Sequence, residues 1–401
     1  MEKCPNAVRS CFFILRGALD MSDKRHELRY QRRKARREAK RIAAVGMCDN
    51  FERIANADSL CHAFKKSKKG VSWKCSVQRY EASLLPNVYE AKRKLLAGED
   101  VRKGFVEFDV NERGKIRHIK SVHISERVIQ KSLCMETLVP ILKYSLVYDN
   151  GASIKGKGVG FSLRRLAAHL RRFYRENGNS NEGYALLIDF KDYFGSINHE
   201  ALYHVLEKQI KDERVLALTK SFISAFGPVK SLGLGSEVSQ ICALAFPSVI
   251  DHYIKEGWRM KYFARHNDDI YIIHTSKEKL KLLLSDIRSM CSEIGITLSE
   301  KKTRIVKLSQ GVCYLKGKYI LTKSGKIIRL SRGKGLIYER RKLKKFCKKL
   351  SDGKMTMNDV RTSYQSWRGG FKKRFDCYNK LKKMDKLYNE LFIYNHAQMS
   401  A

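Results

Sequence analysis

The sequence predicts an α+β protein of more than one lobe, and three observations carry that reading. The chain has 401 residues, 43% hydrophobic and 30% charged, enough for two or three packed domains and unlike a disordered tail. Strand-like alternation is concentrated in the middle of the chain, while helical spacing dominates both ends. Lys and Arg number 81 against 41 Asp and Glu, a net charge of +40. Such an excess repels itself unless a polyanion neutralises it, so nucleic acid is the expected partner and an ordinary metabolic enzyme is not. The apolar runs are too short to cross a bilayer, so no membrane partner is expected.

The elements follow in order. Cys11-Phe12-Phe13-Ile14-Leu15 is shorter than a signal core and Arg16 follows at once, whereas Met21-Ser22-Asp23-Lys24 is a more ordinary beginning. Residues 1–20 are therefore expected to be a product of start-site choice. Lys24 to Arg41 holds ten basic and two acidic residues without Pro or Gly, which predicts a basic helix. Such a helix is either a solvated charged rod or an arm that clamps RNA or DNA. Residues 49–100 read as short helices. Residues 104–123 read as a hairpin, Phe105–Asp109 and Lys115–Ile119 around the polar turn Asn111-Glu112-Arg113-Gly114. Helices are expected near Glu126–Leu142 and Phe161–Arg175, a buried strand over 184–190 and a helix from His199. A Gly-rich turn and an apolar helix fill 230–257, and 261–274 reads as strand, turn, strand. Thr275-x-x-Glu278 reads as a capping box for a helix with Leu280, Leu283, Leu284, Ile287, Cys291 and Ile294 on its apolar face. Short strands follow at Thr303–Lys307 and Val312–Leu321. Residues 321–390 carry 22 Lys or Arg and 6 acids, with Leu343, Phe346, Cys347 and Leu350 at helical spacing, which predicts a cationic helical bundle. The eleven cysteines are scattered with no Cys-x-x-Cys, as in a reduced, cytoplasmic protein.

Two acidic positions sit at strand ends among apolar neighbours. Asp189 closes Leu186-Leu187-Ile188, and Asp268-Asp269 lies between two strands. Carboxylates presented this way are hard oxygen donors suited to Mg²⁺ that also contacts phosphate. Asn267-Asp268-Asp269 alone is equally an ordinary hairpin loop. Gly151-Ala152-Ser153-Ile154-Lys155-Gly156-Lys157-Gly158 mimics a phosphate-binding loop, but Gly158 stands where a Mg²⁺-binding Ser or Thr is needed and no βαβ alternation surrounds it.

Together the motifs resemble a known family. Asp189-Phe190-Lys191-Asp192-Tyr193-Phe194-Gly195-Ser196-Ile197-Asn198-His199 is similar to motif A of bacterial reverse transcriptases, those of group II introns, retrons and diversity-generating retroelements. Phe263-Ala264-Arg265-His266-Asn267-Asp268-Asp269 resembles their motif C, and Ile294 to Thr303 their motif D. Arg117-His118-Ile119 followed by Glu126-Arg127-Val128-Ile129-Gln130 resembles the first fingers motif. Leu234-Gly235-x-x-x-Ser239-Gln240 looks like the diversity-generating form of the turn before the palm helix.

The resemblance implies a right hand: a basic extension over 1–48, fingers over 49–182, a palm with an antiparallel sheet over 183–320 and a helical thumb over 321–401. It implies an RNA-directed DNA polymerase that uses a pair of Mg²⁺ ions, with Mn²⁺ as a substitute, held by Asp189, Asp268 and Asp269. Lys115 and Arg117 would hold the incoming dNTP, Phe194 would exclude a ribose 2′-hydroxyl, and Lys302 would lie by the pyrophosphate. Leu234, Gly235 and Gln240 would line the nascent base pair, and Leu234, in place of a Gln, implies relaxed fidelity. Tyr314-Leu315-Lys316-Gly317 falls at the primer grip. The partners implied are an RNA template, a DNA primer or product and dNTPs, with a dedicated non-coding RNA or a small accessory protein left open. A bacterial cytoplasm is implied, with a phage or prophage source also open. Two departures stand out: Gly195 replaces the usual Asp after Phe194, and His266 replaces the motif C Tyr, as a primer contact or a packing residue. The rival readings are a retron or phage-defence enzyme copying its own RNA, an RNA-dependent RNA polymerase, a non-catalytic RNA-binding protein and, least supported, an NTPase.

Overall fold

The computed structural model describes residues 21–112, 115–332 and 334–394. Residues 1–20, with the start-site expectation, and Arg113-Gly114 of the hairpin turn lie outside the described residues, as does the side chain of Lys115.

The centre is a four-stranded antiparallel sheet of β3 (Tyr184–Asp189), β4 (Tyr262–His266), β5 (Asp269–His274) and β6 (Arg304–Lys307), in the order β4-β5-β3-β6. β3 is apolar at nearly every position because both of its faces are covered. Leu186 and Ile188 pack into the larger core with Phe263, Ile270 and Ile272. Ala185 and Leu187 face the other way, with Tyr262, Ala264, Tyr271 and Ile273, onto Leu163, Leu166, Leu170 and Phe173 of helix α6 (Val159–Glu176).

Before the sheet come helix α1 (Met21–Cys48), then α2 (Ala57–Ser67), α3 (Cys75–Ala82) and α4 (Leu84–Leu96), hairpin β1–β2 (Phe105–Glu112, Lys115–Val122) and α5 (Ile124–Leu133). α5 continues through a π-helical turn at Cys134–Leu138 into Val139–Leu142. Between β3 and β4 lie α7 (His199–Glu207), α8 (Glu213–Ser224), α9 (Glu237–Ala245) and α10 (Ser248–His252). After β5, α11 (Lys277–Glu293) covers the sheet with Leu280, Leu283, Ile287 and Cys291. Its cap corrects the sequence expectation: Ser276, not Thr275, accepts the Lys279 amide, because the helix starts one residue later.

A second antiparallel sheet, β7 (Val312–Tyr314), β8 (Gly317–Leu321) and β9 (Ile327–Ser331), closes the smaller core. β9 lies where the sequence suggested helix. Arg329 within it pairs with Asp376, at 2.6 Å, and so ties the sheet to the C-terminal helices α12 (Lys334–Ser351), α13 (Met357–Arg374) and α14 (Tyr378–Asn389). That bundle has its own core of Leu343, Val360, Tyr364, Met384 and Phe392, with Tyr364 and Tyr388 stacked at 4.4 Å. The α+β architecture expected from the sequence is thus present, with antiparallel sheets and a helical C-terminal region. Among the described residues no helix is long and apolar enough to cross a membrane.

Candidate active site

The strand register brings the acidic residues together. Asp189, last in β3, pairs directly across from Asp269, first in β5, and Asp268 precedes it in the β4–β5 turn. Asn267 takes a left-handed φ of 54°, which Asn tolerates and which lets the turn reverse in two residues. Asp189 is buried, while Asp268 and Asp269 are partly so. Burial raises the pKa of Asp268, and the Asp189 charge adds to the effect. Burial, with Asp268 and Asp189 nearby, pushes Asp269 up to about 7. Asp268 and Asp269, set beside Asp189 in one weakly solvated corner, resist ionising together.

Lys302 answers part of that charge. The Ser299 amide donates to the Asp189 carbonyl at 2.8 Å and the Lys191 amide to the Thr297 carbonyl at 2.8 Å, laying the segment after α11 beside β3. The following turn returns Lys302, whose Nζ donates to both Asp189 carboxylate oxygens at 2.7 and 2.8 Å. Burial works against the Lys302 charge, but the Asp189 carboxylate outweighs it and the net shift is upward.

The divalent metal that the family implies suits this donor set of hard oxygens on facing strand ends. As the side chains stand, no three Asp, Glu, His or Cys groups among the described residues are gathered to hold an ion. A metal held by Asp189 would have to displace Lys302 from its carboxylate.

The other expected residues lie on the hairpin, on the turn after β3 and on the Gly turn before α9. Phe194, in the one-turn helix Tyr193–Ser196, is partly buried against the larger core, and its carbonyl accepts the Leu232 amide at 2.9 Å. Gly195 has a physical reason: Asp192, with a left-handed φ of 43°, turns its carboxylate into the space where a Cβ at 195 would sit. Arg117 of β2 is close enough for its charge to offset a small part of the burial-driven rise at Asp268. The Lys120 amide of β2 donates to the Leu234 carbonyl at 3.0 Å, joining the hairpin to the Gly turn. Gly235 is needed there twice over: its φ is 129°, and a Cβ would collide with the Lys120 carbonyl oxygen. Gln240 is exposed and lines, with Lys66, Arg127, Lys131 and Gly235, a cleft of about 400 Å³. A buried chain from the Lys103 amide through Glu126 and Gln130 to Ser236, the N-cap of α9, supports this turn from α5. Sequence reasoning placed these residues in a motif but did not see the chain.

His266 packs rather than projects: its Nδ1 meets Ser162 Oγ at 2.9 Å, and burial lowers its pKa. Tyr314 is buried edge-on to Tyr271 at 4.9 Å, and Leu315 and Lys316 both take positive φ in the turn between β7 and β8. The phosphate-loop mimic is a structural loop. Lys157 Nζ donates to the Tyr148 and Asn150 carbonyls at 2.7 and 2.9 Å and lies 5.2 Å from the Tyr148 and Phe161 rings.

Arg265 belongs to the motif C run, but the sequence reading gave it no role. It is wholly buried and binds Asp251, Leu244 and Asn267 behind the carboxylate turn. A further hint was an Arg placed inside an apolar strand.

Comparison with known proteins bears on this corner. Among solved structures the chain is similar to telomerase from Candida albicans in complex with a TWJ fragment of telomeric RNA (13% identity, TM-score 0.47, 74% of this chain and 61% of that one). It is also similar to apo telomerase from Candida tropicalis truncated from its C-terminal domain (12% identity, TM-score 0.43, 56% and 54%). The chain thus spans about half to three fifths of those proteins. No curated protein sequence matches it. A family model described as reverse transcriptase (RNA-dependent DNA polymerase) matches residues 103–318, a span that runs from the hairpin through the acidic corner to β8. With more than half of its length inside that model and the three carboxylates meeting where its strands end, the chain belongs to the reverse transcriptase family.

Proposed function

We propose that the chain is an RNA-directed DNA polymerase that extends a primer 3′-hydroxyl with dNTPs on an RNA template. The observation that carries this reading is the register that sets Asp189 opposite Asp269, with Asp268 beside them, at the open end of an antiparallel sheet. Asp189, Asp268 and Asp269 would hold a pair of Mg²⁺ ions (or Mn²⁺), whose chemistry is to acidify the primer hydroxyl and offset charge on the triphosphate. Phe194, five residues after Asp189, would fill the space of a 2′-hydroxyl and favour dNTPs. Arg117 and Lys115 on the hairpin would grip the triphosphate as charge develops. Lys302, on leaving Asp189, would supply a proton to the pyrophosphate.

In this reading 49–182 serve as fingers, 183–320 as palm, 321–401 as thumb, and 1–48 as a basic extension that adds grip on RNA. Leu234 at the Gly turn favours a diversity-generating retroelement, since Leu offers no hydrogen bond to a base where Gln would. A bacterial or prophage source and a cytoplasmic location follow from that subtype. The second reading, a retron or defence enzyme with its own RNA or accessory protein, rests on the same unusual turn.

Primer extension on poly(rA)/oligo(dT) tests the proposal. dTTP but not UTP should be incorporated with Mg²⁺. Asp268→Asn should lower the rate by roughly a thousandfold, because a lost metal ligand removes several kcal/mol of transition-state stabilisation. Frequent misincorporation opposite adenine, reduced in Leu234→Gln, would support the diversity-generating subtype, and accurate copying would sink it. Tight RNA binding without incorporation would make the protein a binding module, and UTP incorporation would make it an RNA polymerase.

A further inference from the structure

Arg265 and Asp251 form an ion pair whose side chains are both 0% exposed. Arg265 Nε donates to the two Asp251 oxygens at 2.9 and 3.0 Å, and Nη2 donates to Oδ2 at 2.7 Å. A fully buried pair contributes little net stability, because desolvating two charges offsets their attraction. Its remaining donors are what distinguish it. Nη1 donates to the Asn267 carbonyl at 3.2 Å, and Nη2 to the Leu244 carbonyl at 2.9 Å.

Both acceptors sit at meaningful places. The Asn267 carbonyl belongs to the peptide that leads into Asp268, so holding it fixes the direction in which the Asp268 side chain leaves the turn. Leu244 lies in the last turn of α9, where carbonyls lack helical partners and a cation is favoured. The Gly turn opens the other end of that helix. One residue away, the Ala243 carbonyl accepts the hydroxyl of Tyr193, the neighbour of Phe194. The segments that carry Phe194 and Asp268 are thus drawn together at one end of α9, while Gly235 precedes its other end.

We propose that Arg265 is a positioning residue for the carboxylate corner: Asp251 anchors the guanidinium, and the guanidinium sets the aim of Asp268 relative to the helix that bears the Gly turn. The proposal rests on the polymerase reading given above.

The test separates this role from a purely structural one. Arg265→Met alone should melt at a lower temperature, since it strands a buried carboxylate. The double variant Arg265→Met/Asp251→Leu removes both charges and should recover the melting temperature. Its kcat for dTTP incorporation should stay about a hundredfold down, the scale of loss expected when a reacting group is misplaced by about 1 Å. Its KM for dTTP should move less than about threefold. Should the double variant not fold, Arg265→Lys makes the same comparison, because one ammonium can neutralise Asp251 but lacks the fork to reach Asn267 as well. A folded variant with kcat within about twofold of wild type overturns the proposal. Wild-type protein that extends no primer overturns the polymerase reading instead, and Mn²⁺ titration by calorimetry then decides the role of Arg265. Affinity at least about tenfold weaker in a folded variant supports it, and unchanged affinity overturns it.

Discussion

At the scale of single residues, the acidic corner carries strain that can be measured without any nucleic acid. Asp269 is held protonated up to about pH 7 by burial and by its acidic neighbours. In the unfolded chain it ionises near the ordinary value of about 3.9. Below that both states hold the proton; between the two values only the folded state does; above 7 the folded state must bear the charge. Stability linked to this group is therefore present in acid and lost as pH rises toward and past 7. Asp269→Asn, which cannot ionise, should stabilise the metal-free protein at pH 8 by on the order of 2 kcal/mol, after allowing for partial exposure. Urea unfolding in EDTA at pH 5 should show that gain cut to roughly a third, because pH 5 lies about a third of the way between the two values, and equal gains at both pH values would refute the account. The carboxylates were legible in the sequence because acids at the ends of apolar strands are conspicuous. The pairing of Arg265 with Asp251 was not, because the partner lies on a helix 14 residues earlier and no local period connects the two.

Elements were legible where burial imposes a pattern and obscure where it does not. β3, β4, β5 and α11 have cores on one or both faces and were plain in the sequence. β9 is half-exposed along most of its length and sits in a strongly basic stretch, so composition masked its alternation. The loop from Asp149 to Gly158 shows how a motif can mislead. Its glycines and lysine suit phosphate by spacing, but its backbone is already engaged. The Gly151 amide donates to the Arg265 carbonyl at 2.9 Å, and Asn150 bridges Arg265 in parallel, so the loop extends the sheet beyond β4. Lys157 pins that extension. Lys157→Met should cost about 1–3 kcal/mol through the two carbonyls left without a charged donor, as read by thermal or urea unfolding. ATP hydrolysis should be absent from wild type and variant alike, and an activity lost on substitution would restore the phosphate-loop reading.

Over the whole molecule, charge and core are arranged separately. The apolar interior divides into a large body beneath the sheet, a smaller one between the sheet and α6, and two clusters among the C-terminal helices. Among the described residues, no Lys or Arg other than Arg265 is buried. α1 is docked by Tyr30, whose hydroxyl donates to Glu256 at 2.9 Å, while Arg29, Arg32, Arg33, Lys34, Arg36, Arg37 and Lys40 remain exposed. A net charge of +40 laid out this way should bind single-stranded RNA through many phosphates at once. The affinity should fall roughly a thousandfold between 50 and 200 mM salt, and replacing the seven exposed cations of α1 with Gln should flatten that dependence in a fluorescence-anisotropy titration. An affinity insensitive to salt would mean that the charge serves something other than a nucleic acid backbone. The bond from the Lys120 amide to the Leu234 carbonyl acts at this scale too. It ties the hairpin to the Gly turn, so that a displacement of one pulls on the other.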